Sequence, residues 1–223
     1  TSILPVPKGA ALDASSVLFV TEQGVAKRVA AKAFADVRRS GIIAINLQKG
    51  DRLISANLAQ TGDTASLVTS KGQSIRFDVE EVREMGRTAG GVRGMSVKKG
   101  DAVVSAEVIP VAIAKKASLL VVMSKGYGKR TSSYEYRTTG RGGKGIVAMS
   151  VTNKVGKLSA SFPVEETDQI MLVTDKGQLI RCPVNGIRIA GRSTQGVIVL
   201  DTADDERVVS VERISEEQEG GEG

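Results

Sequence analysis

Residue types that carry covalent or metal chemistry are scarce in this chain. Its 223 residues include no His, no Trp and one Cys, Cys182. Without His there is no Ser-His-Asp triad, no Cys-His pair and no His-ligated metal site. A lone cysteine closes no internal disulfide, so nothing points to an oxidising compartment. Cys182 alternates with Ile180 and Val184 on an apolar strand face and reads as a small core residue. Arg141-Gly142-Gly143-Lys144-Gly145 resembles a nucleotide loop only superficially. A Walker A loop needs an earlier Gly and a Ser or Thr after its Lys. Here Thr138 and Thr139 stand before Lys144, and Gly145 follows it.

What is plentiful is cationic chemistry. Lys and Arg total 31 against 25 Asp and Glu. Four of those acids, Glu216, Glu217, Glu219 and Glu222, sit in the last nine residues; setting them aside raises the net charge from +6 to +10. A basic body fits a polyanionic partner, and arginine pairs with phosphate through two parallel hydrogen bonds. No apolar run approaches the roughly 18 residues that span a bilayer. The first residues lack a signal-peptide pattern. The expectation is a cytoplasmic protein without a membrane partner.

The cations recur with a period. Gln23-Gly24-Val25-Ala26-Lys27-Arg28 returns as Lys71-Gly72-Gln73-Ser74-Ile75-Arg76, as Lys125-Gly126-Tyr127-Gly128-Lys129-Arg130 and as Lys176-Gly177-Gln178-Leu179-Ile180-Arg181. The glycines are 48, 54 and 51 residues apart. An apolar run precedes each motif, such as Leu119-Leu120-Val121-Val122-Met123. A second glycine follows each Arg, at Gly41, Gly94, Gly145 and Gly196, and opens another run, such as Ile42-Ile43-Ala44-Ile45. A fourth run closes each unit, as in Val103-Val104-Ser105-Ala106. Val and Ile suit a half-buried pleated surface, and Asp175-Lys176-Gly177 is hairpin-turn chemistry. Helical periodicity is nearly absent; Val79 to Met85 has room for a turn or two. Four-stranded units at this period predict an all-β, propeller-like array of about four antiparallel blades. The blades are assigned to residues 14–62, 63–114, 115–166 and 167–214, with an acidic tail at 215–223. Residues 1–13 read as a linker and the closing strand of a preceding blade, because Ile3-Leu4-Pro5-Val6 resembles Val108-Ile109-Pro110-Val111.

Period-two alternation sets each repeated Arg opposite an apolar face. If that face packs inward, Arg28, Arg76, Arg130 and Arg181 line one outer surface, with Lys27 and Lys129 beside two of them. The competing reading is a set of contacts tying blades together. The loop before the second glycine is basic in every unit: Arg38 and Arg39; Arg87 and Arg93; Arg137, Arg141 and Lys144; Arg188 and Arg192. Glycine lets backbone N–H groups approach an anion closely. These fifteen residues are the candidate phosphate-binding set. Seven aromatics are too few for a base-stacking platform. Tyr134 and Tyr136 read as packing or phosphate contacts. A sequence-independent mode on duplex DNA is therefore favoured.

The four Gly-x-x-x-Arg units, with Gly90-Gly91-Val92-Arg93-Gly94 and Gly191-Arg192-Ser193-Thr194-Gln195-Gly196-Val197, resemble the C-terminal domain of the A subunit of bacterial DNA gyrase. The resemblance covers the chain apart from the acidic tail. It implies a β-pinwheel that wraps double-stranded DNA around a basic rim and so serves negative supercoiling. It also implies a bacterial, nucleoid-associated location and two protein partners, the rest of the gyrase A polypeptide and the gyrase B polypeptide. Catalysis would lie elsewhere: the nucleophilic Tyr in the remainder of the A polypeptide, and ATP and Mg use outside this chain, which needs no cofactor itself. The isolated domain is expected to be a monomer. The family's Gln-Arg-Arg-Gly-Gly-Lys-Gly box has its nearest match in Thr139 to Gly145, without the first Gln and Arg and in a later unit. Two other readings stay open. One is the related C-terminal domain of topoisomerase IV; the other is a propeller-type protein-interaction scaffold, which would bind little duplex.

Overall fold

The computed structural model describes residues 4, 12–35 and 41–215. Most of the predicted leading strand, with Arg38 and Arg39 and the glutamates of the tail, lies outside them.

Among the described residues the regular structure is strand, with only short 3-10 turns. Each unit begins with a hairpin turned at the predicted Gly. The first unit supplies β1 (Ser16–Thr21), β2 (Val25–Ala30) and β3 (Leu53–Ala59). The second supplies β4 (Thr64–Thr69), β5 (Gln73–Asp78), the short β6 (Val92–Arg93) and β7 (Val103–Ile109). The third supplies β8 (Ser118–Met123), β9 (Tyr127–Ser132), β10 (Ile146–Val147) and β11 (Leu158–Val164). The fourth supplies β12 (Gln169–Thr174), β13 (Leu179–Pro183), β14 (Val197–Ile198) and β15 (Val208–Ile214). The turn glycines Gly24, Gly72, Gly126 and Gly177 all have φ between 76° and 83°, a region that costs other residues. The predicted helical turn at Val79 is a single 3-10 turn, Val79–Glu81.

The units do not close on themselves. The sheet orders are β3-β1-β2-β6, β10-β5-β4-β7, β11-β8-β9-β14 and β13-β12-β15. The fourth strand of each complete sheet is thus donated by the next unit. Val92 pairs with Ala26, Ile146 with Ser74 and Val197 with Gly128. The glycine opening the donated strand in the second unit is Gly91, not Gly94. Gly91, Gly145 and Gly196 share φ values of 88°, 76° and 74° and lie tight against the carbonyls of Ala26, Ser74 and Gly128. In the first unit the expected run 42–45 forms no strand; no acceptor sheet for it is among the described residues.

The core lies between blades. Leu18 and Ala26 of the first unit pack with Leu67 and Phe77 of the second. Ile109 packs with Leu119 and Met149, and Leu120 and Val122 with Ile170 and Leu200. A blade covered on both faces buries consecutive residues: every residue of β4 is buried, whereas β12 alternates.

Candidate nucleic-acid interface

Covering on both faces decides where the repeated cations go. Alternation along β5 and β9 sorts side chains between two blade-to-blade joints, not between core and solvent; along β2 it turns Arg28 towards the second blade and sets Lys27 on the opposite face with Phe19. Arg28 Nε donates to the Val82 carbonyl at 2.8 Å. Arg76 donates through Nε to Thr64 Oγ1 at 2.9 Å and through Nη1 to the Ser133 carbonyl at 3.2 Å. Arg130 is buried, donates to the carbonyls of Ile187 (2.7 Å) and Asn185 (3.3 Å), and pairs with Glu166 at 3.5 Å. In each case an acceptor is the 3-10 turn of the next unit or a residue flanking it. Arg181, on the last blade, is exposed and donates to Gln169 within its own sheet.

The two lysines are also structural. Lys27 and Lys129 are fully buried. Lys27 Nζ donates to the carbonyls of Ala44 and Arg87. Lys129 Nζ donates to the carbonyls of Gly191 (2.7 Å), Arg192 and Thr194 (3.0 Å). Burial pulls the Lys129 pKa down to about 8 and Lys27 below its usual value; oxygen acceptors on the ammonium oppose that pull. The expectation that Lys27, Lys129 and Arg130 face DNA is therefore corrected, because they are buried; Arg28 and Arg76 are half-buried, with their guanidiniums bonded to the next unit. They fasten consecutive blades by satisfying loop carbonyls, which are costly to leave bare in an interior.

The loop cations divide into two sets. Arg137 and Arg188 follow equivalent 3-10 turns and are exposed. Arg83 occupies the same place in the second unit and is exposed too, yet it is absent from the sequence-derived set. The signal existed: Val82-Arg83, Tyr136-Arg137 and Ile187-Arg188 repeat at the same 54- and 51-residue intervals as the turn glycines. Among the described residues, none of these three side chains makes a hydrogen bond or ion pair. Arg93 and Lys144 are likewise exposed. Arg137 and Lys144 flank a cavity of about 250 Å³ beside Gly140, Gly143 and Gly145.

The second set is pinned. The Arg141 backbone N–H donates to Glu81 Oε2 at 2.8 Å, its Nε to the Glu81 carbonyl (2.9 Å) and its Nη1 to that of Arg93 (3.0 Å). Arg192 repeats this one unit later: its backbone N–H donates to Glu135 at 3.1 Å and its Nη1 to the Val147 carbonyl at 2.8 Å. These guanidiniums grip the donated strand of the preceding blade at the surface. Arg87 is partly buried and holds the carbonyl that Lys27 grasps. Tyr136 is buried and Tyr134 exposed. Burial raises the Cys182 thiol pKa, keeping it protonated at neutral pH. Among the described residues, no group of three or more His, Cys, Asp or Glu is placed to hold a metal ion, and no helix is long and apolar enough to cross a membrane.

Comparison with known proteins matches this geometry to one family. The model of the DNA gyrase C-terminal domain, a β-propeller, matches residues 15–60, 65–110, 118–165 and 168–215. The gyrase A polypeptide of Salmonella typhimurium is 41% identical over 216 residues, 97% of this chain and 24% of that protein. Its Escherichia coli K12 counterpart is 38% identical over the same shares. The chain spans about a quarter of the length of these relatives. A solved DNA gyrase A C-terminal domain superposes with a TM-score of 0.81 at 27% identity, covering 91% of this chain and 66% of that one. The C-terminal domain of DNA topoisomerase IV superposes with 0.87 at 29% identity, covering 95% and 65%.

Proposed function

We propose, because this chain belongs to the family of the DNA gyrase C-terminal domain, that it binds duplex DNA without reading sequence and bends it around its blades. The observation that carries this is the recurrence, on successive units, of an exposed arginine whose side chain has no partner among the described residues, at one structural position: Arg83, Arg137 and Arg188. Arg93, Lys144 and Arg181 add charge, and the pinned Arg141 and Arg192 present pre-oriented guanidiniums.

Bending 20–30 base pairs by 40–90° costs on the order of 1–6 kcal/mol. Each phosphate contact releases counterion and adds about 0.9 to the salt slope. Two arginines per blade give enough contacts to offset the bend at low salt. With no recognition helix and few aromatics, affinity resides in phosphate contacts. In the intact enzyme such wrapping would serve negative supercoiling, with strand cleavage and ATP and Mg use in the rest of the gyrase A polypeptide and in gyrase B. The same surface suits a topoisomerase IV setting, and a bacterial cytoplasmic, nucleoid-bound location follows from either.

The test is ligation of nicked circular DNA in the presence of the chain. A shift in linking number is expected, together with binding that weakens steeply between about 50 and 200 mM salt. Unchanged linking number with salt-insensitive binding would leave a protein-interaction scaffold as the better reading.

A further inference from the structure

Three loops lead into the donated strands, and they share a length and an anchorage. Each starts where a backbone N–H bonds the carbonyl of the repeated Arg: Met85 to Arg28 at 2.9 Å, Thr139 to Arg76 at 2.8 Å and Ala190 to Arg130 at 2.8 Å. Each ends at the glycine pressed on the acceptor strand, Gly91, Gly145 or Gly196. The loops 85–91, 139–145 and 190–196 are therefore equivalent residue by residue.

Under two of the three, a strand lysine fills the space. Lys27 reaches the Arg87 carbonyl, and Lys129 reaches the carbonyls of Gly191, Arg192 and Thr194. The equivalent strand position of the second blade holds Ile75, between Ser74 and Arg76. Ile75 lies under its loop as the lysines do: a Cβ on Gly143 would sit 3.5 Å from its Cδ1. It is shorter than lysine and donates nothing. The space left is the cavity of about 250 Å³, with Ile75, Gly140, Gly143 and Lys144 in its walls. The carbonyls of Gly140 and Arg141 take the places of those of Gly191 and Arg192. Among the described residues, no donor reaches the Arg141 carbonyl, and the Gly140 carbonyl has only the Thr139 hydroxyl at 3.5 Å.

The missing ammonium stands elsewhere in the same joint. Lys144 belongs to the loop itself, at the position of Gly90 and Gln195 in the other two. It is exposed, lines the cavity and has no partner among the described residues. Each joint thus has one lysine at its loop, from the strand in the first and third and from the loop in the second. The surrounding charge is alike. Glu135, which favours the charged form of Lys129, accepts from the Arg192 backbone N–H, and Glu81 accepts from that of Arg141. Arg76 and Arg137 also border the cavity. They disfavour a free cation, whereas a tethered ammonium arrives at high effective concentration.

We propose that the cavity beneath the loop 139–145 is an ammonium seat, and that Lys144 folds back to occupy it in the DNA-free protein by bonding the Gly140 and Arg141 carbonyls. Lys144 then holds its loop on the second blade as Lys27 and Lys129 hold theirs. The seat does not depend on DNA binding, and its test contains no DNA.

Urea unfolding of the 223-residue chain provides that test. Lys144→Met should lower the folding equilibrium constant about tenfold. Ile75→Lys restores the strand ammonium of the other joints; in that background Lys144→Met should change the constant by less than about twofold. No loss in the wild-type background, or the same loss in both, overturns the proposal. So does a stability that rises in potassium over choline chloride and ignores Lys144→Met, which would give the seat to a free cation. Acetylation of the wild type, read by mass spectrometry, holds whether or not Ile75→Lys folds. Lys144 should react several-fold more slowly than the exposed Lys98 and Lys99; equal rates overturn the seat.

Discussion

Lys129 in the third unit donates its ammonium to the Gly191 carbonyl in the fourth at 2.7 Å, from a position with no solvent exposure. The bond closes over the loop 191–194, whose Arg192 and Thr194 carbonyls converge on the same nitrogen. Lys129→Met keeps the length and removes the donors, stranding several buried acceptors. Urea unfolding should show a loss of about 1–3 kcal/mol, while the DNA salt slope of the folded variant stays unchanged. A reduced slope at full stability would return Lys129 to the DNA-facing set.

The exposed arginines should behave oppositely. Arg83→Ala, Arg137→Ala and Arg188→Ala remove side chains with no described partner, so stability should move by no more than about 0.5 kcal/mol. Each should lower the slope of log affinity against log salt by about 0.9, equally on unrelated duplexes. Titration of the wild type and the three variants between about 50 and 200 mM salt reads this directly.

The contrast marks how far sequence reasoning reaches here. Blade number, hairpin turns and glycine positions follow from local chemistry: a positive φ at Gly24 or Gly126 is a property of the few residues in its turn. The donated strands Val92–Arg93, Ile146–Val147 and Val197–Ile198 are two residues long, too short for alternation to assign them to one sheet over another. Reading them as part of their own unit left the blades apparently one-faced. Lys27 and Arg130 then looked solvent-facing, though loop segments close over the first and the fourth unit covers the second. Arg83 was legible as an apolar-Arg pair at the repeat interval but stood outside the glycine-centred motif that organised the repeat.

Acidity should matter at the hub. Glu107 lies on β7 beside a cavity of about 490 Å³, with Phe162, Glu212 and Arg213 on its other walls. Arg213 is engaged by Asp168 at 2.7 Å and by Glu165 at 3.7 Å. Burial first, and then the Glu212 charge, push the Glu107 pKa up to about 7. The unfolded chain titrates this group near about 4.3. Between those values the folded state holds the extra proton, so its contribution favours folding below about 4.3, declines as pH rises towards 7 and is lost above it. Glu107→Gln should remove that slope and stabilise the fold at pH 8, by about 1.4 kcal/mol for each pH unit separating the two titration points. Urea midpoints of wild type and variant should converge at about pH 4 and separate at pH 8; parallel curves would exclude Glu107 as the source.

The turn glycines make a paired comparison, since Gly126 and Gly177 share a conformation and differ in what lies against them. Both have positive φ, 76° and 83°, so alanine at either incurs about 1–2 kcal/mol of left-handed strain. At Gly126 the new Cβ would also lie 1.8 Å from the Leu200 carbonyl oxygen; at Gly177 it meets open space. Relieving that overlap means withdrawing the segment whose Val199 and Leu200 N–H groups bond the Gly126 carbonyl at 2.8 and 3.1 Å. Gly126→Ala should therefore cost about 1–3 kcal/mol more than Gly177→Ala, read as the difference in unfolding free energy in urea. Equal losses would mean that the donated strand does not clamp the third blade.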